Sequence, residues 1–577
     1  MLTKLSIKNF KRFDEVEIEL GSPVVFVGPN NSGKTTALQA LSLWYLGLKK
    51  WQEKRGTEEI PSKRPGVPIG RRDFVSTPIP SANLLWRDLH VRESSRNRGK
   101  AVATKNVLIE IEVEGVAESE WKCGLEFDYA NEESFHCRPR RGTEVSRQPI
   151  PKEAFDTRVS FLHPMSGLAD REFAKEPGEI AFLLGQGRTA EVLRNLCRQV
   201  RSAEHTGERQ WKELVETIDE LFGVRLDEPT FIPERAEITL SYLDRRGTRL
   251  DLSSSGRGVQ QTLLLLAYLT LHPRSVLLLD EPDAHLEILR QRQIYKVLND
   301  TATKQKSQII VASHSEVILN EAADRDLVIA FVGRPHRIDD RGSQALKALK
   351  EIGFEQYYES EQRGWVLYLE GSTDLAILQE FAAILGHVAK EDLSSPFVQY
   401  VENQPQKARD HFRGLREAKR DLVGILLCDR LDRSLQPTVE LAEVMWRRRE
   451  IENYLCQPDT LLAFAASMAT EQEPGPLFEA SATERYKQVM QGCIEELVPP
   501  IALQNLSDEW WRETKATDGF LDRLFAEFYS RLGLQNLMRK SNYHRLATFV
   551  PLELIDPEIA EVLDAIHHQA SLAKPVT

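Results

Sequence analysis

The sequence predicts an α/β protein with two successive alternations of strand and helix, and three observations carry that reading. A glycine-rich loop, Gly28 to Thr35, stands between an apolar strand (PVVFVG, 23–28) and a helix (ALQALSLWYL, 37–46). VLLLD (276–280) and IIVASH (309–314) are short continuous apolar runs bounded by charged or turn residues, the pattern of buried parallel strands. WVLYL (365–369), FVQYVE (397–402) and LVGILLCD (422–429) then start a second, smaller alternation with helical text between them.

Taken in order, LTKLSIKNF and DEVEIEL alternate apolar and polar residues and read as strands ahead of the glycine loop. The first of them gives no secretory leader, which would show a basic patch, an apolar run and a small-residue cleavage site. Residues 52 to 105 are rich in Pro, Gly, Arg and Ser and form an excursion before NVLIEIEVEG resumes the strand pattern. From 168 to 222 the spacing is helical (EIAFLLG, AEVLRNLCRQV, WKELVETIDELFG), followed by the strand-like EITLSYLD and TRLDLSS, so a helical insertion interrupts a first domain that closes near 345. In the second series LAILQEFAAIL is a helix, residues 458 to 535 are helix-rich and aromatic, and ELIDPEIAEVLDAIHH ends the chain in short helices.

A length of 577 residues with 41% hydrophobic residues argues for three or four packed units. No stretch reaches the roughly 20 apolar residues of a membrane span, which excludes a membrane-embedded class. Six scattered cysteines, without CxxC pairs, fit a reducing, cytoplasmic setting. The net charge of −12 opposes indiscriminate binding to a polyanion, so any nucleic-acid contact falls to local basic patches such as Lys63-Arg64, Arg71-Arg72 and Arg447-Arg448-Arg449, although charge runs are more often solvated faces. Neither coiled-coil arms nor zinc hooks lie between the motifs, which sets aside a recombination-type repair ATPase.

Gly28-Pro29-Asn30-Asn31-Ser32-Gly33-Lys34-Thr35 matches the phosphate-loop pattern. Its glycines let backbone amides wrap phosphates, Lys34 neutralises phosphate charge, and Thr35, with Thr36 beside it, opens the helix where a hydroxyl reaches magnesium. Asp280 and Glu281 end the strand VLLLD as a carboxylate pair, one suited to hold magnesium and the next to orient water. In the second unit, Glu370 follows WVLYL and Asp374 lies in the first turn of the next helix, so both can face one pocket. Asp429 ends LVGILLCD at the same edge, and carboxylate oxygens there suit Mg2+ or Mn2+.

Leu252-Ser253-Ser254-Ser255-Gly256-Arg257-Gly258-Val259-Gln260-Gln261, opening the helix TLLLLAYL, resembles the signature motif of ABC and SMC-like ATPases. The resemblance implies that Ser255, Gly256 and Gly258 of one subunit cap the ATP of another, hence head engagement in a homodimer or higher homo-oligomer. Asp283-Ala284-His285-Leu286 is similar to the D-loop and His314 to the switch histidine that contacts γ-phosphate or attacking water. His163-Pro164-Met165-Ser166 stands where a Q-loop would, its role open.

The order Glu370-Gly371-Ser372-Thr373-Asp374, then an aspartate-rich strand end, resembles a Toprim domain over residues 364 to 456. Arg449-Glu450-Ile451-Glu452-Asn453-Tyr454-Leu455 is similar to the Toprim half of OLD (overcoming lysogenization defect) family nucleases. One departure stands out: the family's Asp-x-Asp is here Asp429-Arg430-Leu431-Asp432, so Asp432, Glu450 or Glu452 takes the second metal position. The family also implies a lysine that stabilises charge on the cleaved phosphate, for which Lys540 is the choice and His544 a lesser one.

The expected layout is an ABC ATPase domain in two parts (1–167 and 226–345), a helical dimerisation insertion (168–225), and a Toprim domain with a helical extension (364–577). The expected activity is an ATP-gated, metal-dependent DNA endonuclease, with Glu281, His314, Glu370, Asp429 and Lys540 as catalytic residues. Such proteins resemble Gabija-type and retron-associated antiphage effectors, which implies foreign DNA as target and a helicase or a reverse transcriptase with its non-coding DNA as partner. The alternative is an SMC-like ATPase sensor or scaffold carrying a non-catalytic Toprim domain.

Overall fold

A computed structural model describes residues 1–56, 66–75, 77, 79–95, 103–142, 147–322, 326–338, 353–432, 434–472 and 479–576. Lys63-Arg64 and the predicted domain end near 345 lie outside these residues. The chain divides into two compact units, Met1–Leu346 and Lys347–Thr577, where length alone had suggested three or four. The α/β class is the one expected.

The first unit is built on two six-stranded sheets. In one, Val159–Leu162, Val276–Asp280, Gln308–Ser313, Val24–Val27 and Leu327–Ala330 lie side by side and parallel, and His336–Arg337 adds an antiparallel edge. The other is antiparallel, with Phe13–Glu19, Leu2–Phe10, Ile109–Val116, Glu120–Asn131, Ser134–Pro139 and Val67–Gly70 in that spatial order. Glu120–Asn131 is a strand because Trp121, Cys123, Leu125 and Phe127 alternate into the core.

The helix Lys34–Arg55 shares one apolar core with both sheets, which is why Ala37, Leu38, Leu41, Trp44 and Leu48 are all buried. A Cβ at Gly47 would stand 2.8 Å from Cys137 Sγ and 3.0 Å from the Phe127 ring, so the helix lies too close to the antiparallel sheet for a side chain there. The indole N–H of the fully buried Trp44 donates to the Cys123 carbonyl at 3.1 Å. Truncating such a side chain costs about 3–5 kcal/mol.

The segment predicted as a helical insertion contains Pro177–Gly185, Leu193–Arg201 and Gly207–Phe222. The last two pack on the helix Arg257–Leu271, so they belong to the first unit's own fabric. Buried Glu172 caps Leu193–Arg201 by accepting from the backbone N–H groups of Arg194 (2.8 Å) and Asn195 (2.6 Å).

The second unit centres on a four-stranded parallel sheet ordered Val398–Tyr400, Trp365–Leu369, Val423–Cys428, Leu441–Met445. Helix Pro405–Ala418 covers one face through Ala408, Phe412 and Leu415. The other face is covered by Ser372–Ile384 and the C-terminal helices, in one core that includes Leu367, Ile377, Phe464, Phe525 and Leu563. All six cysteines are buried thiols, and among the described residues no helix is long and apolar enough to cross a membrane.

Candidate functional site

In a parallel sheet the crossovers return every strand to the same edge, so residues that follow different strands meet there. In the first unit the register pairs Asp280 with Ala312 and Ser313 with Val27. Gly28, Glu281 and His314, each the next residue after its strand, therefore share one rim. Thr35 Oγ donates to Asp280 Oδ1 at 3.0 Å, which ties the phosphate-loop helix to the neighbouring strand end.

Two features of the loop require glycine. Gly28 has φ +152° and a Cβ there would lie 2.9 Å from the Phe331 carbonyl; Gly33 has φ +110° and its Cβ would lie 2.8 Å from Phe13 Cζ and 3.0 Å from Arg12 Cδ. Arg12 and Phe13, at the turn between the first two strands, thus stand against the loop. Sequence reading passed over them, and the only signal was the glycine they abut.

Buried Lys34 donates to the carbonyls of Gly28 (2.6 Å) and Pro29 (2.8 Å). Burial pulls its ammonium below the usual lysine value, against the charges of Glu281, Asp280 and Asp283. Ser32 Oγ is buried without a protein partner. Asn30 and Asn31 are exposed and Thr36 is half-buried. Burial pushes the Asp280 carboxyl up to about 6 despite the Thr35 hydrogen bond. Glu281 takes the left-handed conformation (φ +47°), its N–H donating to Ala312 O at 2.8 Å, and its Oε1 lies 3.4 Å from His314 Nδ1. An orphaned hydroxyl in a glycine loop, a buried lysine and a Thr–Asp pair fit a nucleotide phosphate chain with magnesium.

The signature segment is a short 3-10 turn, Leu252–Ser254, followed by the helix Arg257–Leu271. Asp251 caps the turn by accepting from Ser253 N and is held by Arg194 at 3.0 Å; Ser255 Oγ donates to Leu252 O. Ser253, Ser254, Gly256 and Arg257 face solvent, and a Cβ at Gly256 would meet open space. Gly258 instead lies against the D-loop segment, its Cβ position 3.2 Å from Leu286 Cδ2. His163 follows the strand next to Val276–Asp280, and Met165 N donates to Gln261 Oε1 at 3.0 Å.

In the second unit, Leu367 pairs with Ile425 and Tyr368 with Leu426, so Glu370 and Asp429 leave adjacent strands at one edge, near enough for the Glu370 carboxyl to act on that of Asp429. Asp374 Oδ2 accepts from the N–H groups of Glu370 (3.0 Å) and Gly371 (3.3 Å), closing the strand-to-helix turn. Burial, the neighbouring Glu370 carboxyl, and the charges of Asp374 and Glu452 push the Asp429 carboxyl far above the carboxylate range. Burial pushes Asp374 up to about 6, and Glu452 to about 7 with Glu450 and Asp374 adding to it.

Glu450 and Glu452 reach this edge on the buried turn Ile451–Tyr454. Glu450 accepts from Thr517 N, whereas buried Glu452 Oε1 has no protein partner. Lys540 begins the segment Lys540–Phe549, which packs on helix Ser372–Ile384. Burial works against its charge, but Glu452, Glu370, Glu450 and Asp374 outweigh that and raise it. Asp432 is exposed beyond Arg430, which is clamped to Glu513 at 2.7 Å by both terminal nitrogens. His544 is half-buried, with Nδ1 3.1 Å from Ser541 O.

The all-oxygen, acid-rich donor set with one orphaned carboxylate oxygen fits a divalent cation. Among the described residues no three His, Cys, Asp or Glu side chains close on one point as they stand. Two of the three arginines of the run are engaged within the protein: Arg447 reaches Glu561, and Arg448 pairs with Asp556 at 2.8 Å and lies over the Tyr454 ring, while Arg449 is exposed. Arg71 pairs with Glu133 at 2.9 Å.

Comparison with known proteins finds family models that match segments of the first unit. Residues 1–52 match a family model described as "AAA ATPase domain", and residues 153–320 match "AAA domain, putative AbiEii toxin, Type IV TA system". A 43-residue stretch is 44% identical to an OLD nuclease of Thermus scotoductus, a match taking in 8% of this chain and 8% of that protein. Solved structures that align with the chain include an Smc head domain with an extended coiled coil, bound to the C-terminal domain of ScpA, from Pyrococcus furiosus (15% identity, 61% of this chain, 99% of that one, TM-score 0.34). Another is the SMC head domain from Thermotoga maritima (17%, 58% and 98%, TM-score 0.30). Two stretches of the first unit are thus similar to ATPase-domain families, and a short stretch of the chain is similar to an OLD nuclease.

Proposed function

We propose that the protein is an ATP-regulated, metal-dependent DNA endonuclease whose cutting centre is the carboxylate edge of the second unit. The observation that carries this is the pairing of Glu370 with Asp429 at adjacent strand ends, beside a buried Glu452 oxygen that no protein group satisfies. Glu370, Asp429 and Glu452 would hold Mg2+ or Mn2+, with Asp374 fixing the turn and Glu450 bracing the acidic loop. A cation bound there supplies a Lewis acid and a water of lowered pKa. Lys540 brings positive charge to the phosphate as negative charge grows on it. In the first unit Lys34 and the loop amides bind the ATP phosphates, Thr35 and Asp280 would hold magnesium, and Glu281 with His314 orients water.

The open Ser253–Arg257 segment suits capping of a second copy's nucleotide, hence a homodimer or a larger assembly of heads. By resemblance to OLD, Gabija-type and retron-associated proteins, the setting is bacterial cytoplasm and defence against phage DNA, alone or with a helicase or reverse transcriptase partner. The rival reading, a sensor or scaffold with an inert second unit, draws on the exposed Asp432 and on acids that do not converge as a ready cage.

The test is supercoiled plasmid with purified protein and Mg2+ or Mn2+, with and without ATP. Nicking lost in Glu370→Gln, and an ATP response lost in Lys34→Ala, are expected. No metal-dependent cleavage under any of these conditions would turn the assignment toward the sensor.

A further inference from the structure

Lys515 has no part in the chemistry above, yet its backbone is pinned to the acidic turn from both sides. Asn453 Nδ2 donates to the carbonyls of Trp511 (3.0 Å) and Thr514 (2.8 Å), and Thr517 N donates to the Glu450 carboxylate. Lys515 lies between these anchors at the rim of the carboxylate edge. Its ammonium is held by Asp518, three residues on, with both side chains more than half exposed (57% and 64%). Glu450 and Glu370 act on the Lys515 charge, and Lys540 acts on Asp518, so both lysines stand within electrostatic reach of the same acidic edge.

The geometry points to Lys515 as a second phosphate-binding cation of this centre, latched on Asp518 until the phosphodiester of a nucleic-acid strand takes that carboxylate's place. Four physical points converge on this. An exposed pair three residues apart is weak, so exchanging carboxylate for phosphate costs little. An ammonium is a point charge with three donors, suited to a phosphate in varied poses. The backbone on either side is already fixed, so little further ordering opposes binding. A chain of net charge −12 with an acid-rich edge needs local cations to admit a polyanion. The inference deepens the nuclease reading and rests on it.

The experiment uses the full chain in a Glu370→Gln background, which separates binding from cutting, with a fluorescein-labelled DNA duplex, Mg2+ and a salt titration read by anisotropy. Removing one phosphate contact lowers the slope of log affinity against log salt by about 0.9, so between 50 and 200 mM salt Lys515→Gln should lose roughly 3.5-fold less affinity than its parent. Asp518→Asn should bind more tightly than the parent at low salt, and adding Lys515→Gln to it should erase most of that gain. An unchanged slope in Lys515→Gln, or two single variants shifting affinity in the same direction, overturns the latch while leaving the nuclease reading intact. A parent that binds no duplex at any salt, in a protein that also nicks no plasmid, overturns both.

Discussion

His411 sits behind the strand that delivers Glu370. Its Nε2–H donates to Gln356 Oε1 at 2.6 Å, which leaves Nδ1 to accept from the Tyr368 hydroxyl at 2.9 Å. Tyr368 is fully buried in Trp365–Leu369, two residues before Glu370. Burial pulls the imidazole down to about 4. Since the unfolded chain takes up this proton near pH 6.5 and the folded chain only near 4, stability is full above 6.5 and declines as pH falls. The full effect is about 3 kcal/mol, of which roughly half falls between pH 7 and pH 5. His411→Gln keeps a polar group of similar reach and removes the titration. Hydrogen exchange over 365–369, corrected for its intrinsic pH dependence, should show the wild type losing about 2 kcal/mol more than the variant over that range. Equal losses would refute the claim that a neutral imidazole is locked under the strand.

Gly33→Ala should weaken binding of a fluorescent ATP analogue, because its Cβ would meet Phe13 at 2.8 Å in a backbone conformation that disfavours side chains; the strain is about 1–3 kcal/mol, roughly 5- to 150-fold in affinity, and wild-type affinity would contradict it. Adding Mn2+ at a hundred times its dissociation constant should stabilise the second unit by about 2.7 kcal/mol in thermal unfolding. Glu452→Gln should abolish that gain and raise the stability of the metal-free protein; a variant that responds to metal like wild type would remove Glu452 from the site.

The glycine loop, the Asp280-Glu281 pair, and the strand-end positions of Glu370 and Asp429 were readable because each depends on local spacing plus the rule that parallel strands present one edge. The choice among Asp432, Glu450 and Glu452 was not readable. It turns on the Arg430–Glu513 clamp and on Asn453 tying its turn to Trp511 and Thr514, contacts that span about sixty to eighty residues. Arg12 and Phe13 were invisible for the same reason, since a hairpin turn gains meaning only from what folds against it. Glu120–Asn131 was passed over although its alternation of Trp121, Cys123, Leu125 and Phe127 is a local signal.

The second unit neutralises its other buried acids with care, and that contrast bears on function. Glu443, fully buried, takes both nitrogens of Arg409 at 2.6 and 2.7 Å; Glu361 lies 3.5 Å from buried Lys419; Glu558 accepts from Tyr454 and from Arg447 N at 2.8 Å. Uncompensated charge in such surroundings costs several kcal/mol, so a fold that needed these positions only for packing would carry apolar residues there or provide partners. At the sheet edge Asp374 is satisfied by two backbone N–H groups and Glu450 by Thr517, while Glu370 and Asp429 have each other and Glu452 keeps an orphaned oxygen. Lys540 and Lys515 add positive charge from the rim. Burial makes these carboxyls costly to ionise without a partner, a cost that a cation from solution would remove, and their location at the carboxyl ends of parallel strands is where an α/β sheet meets its ligand.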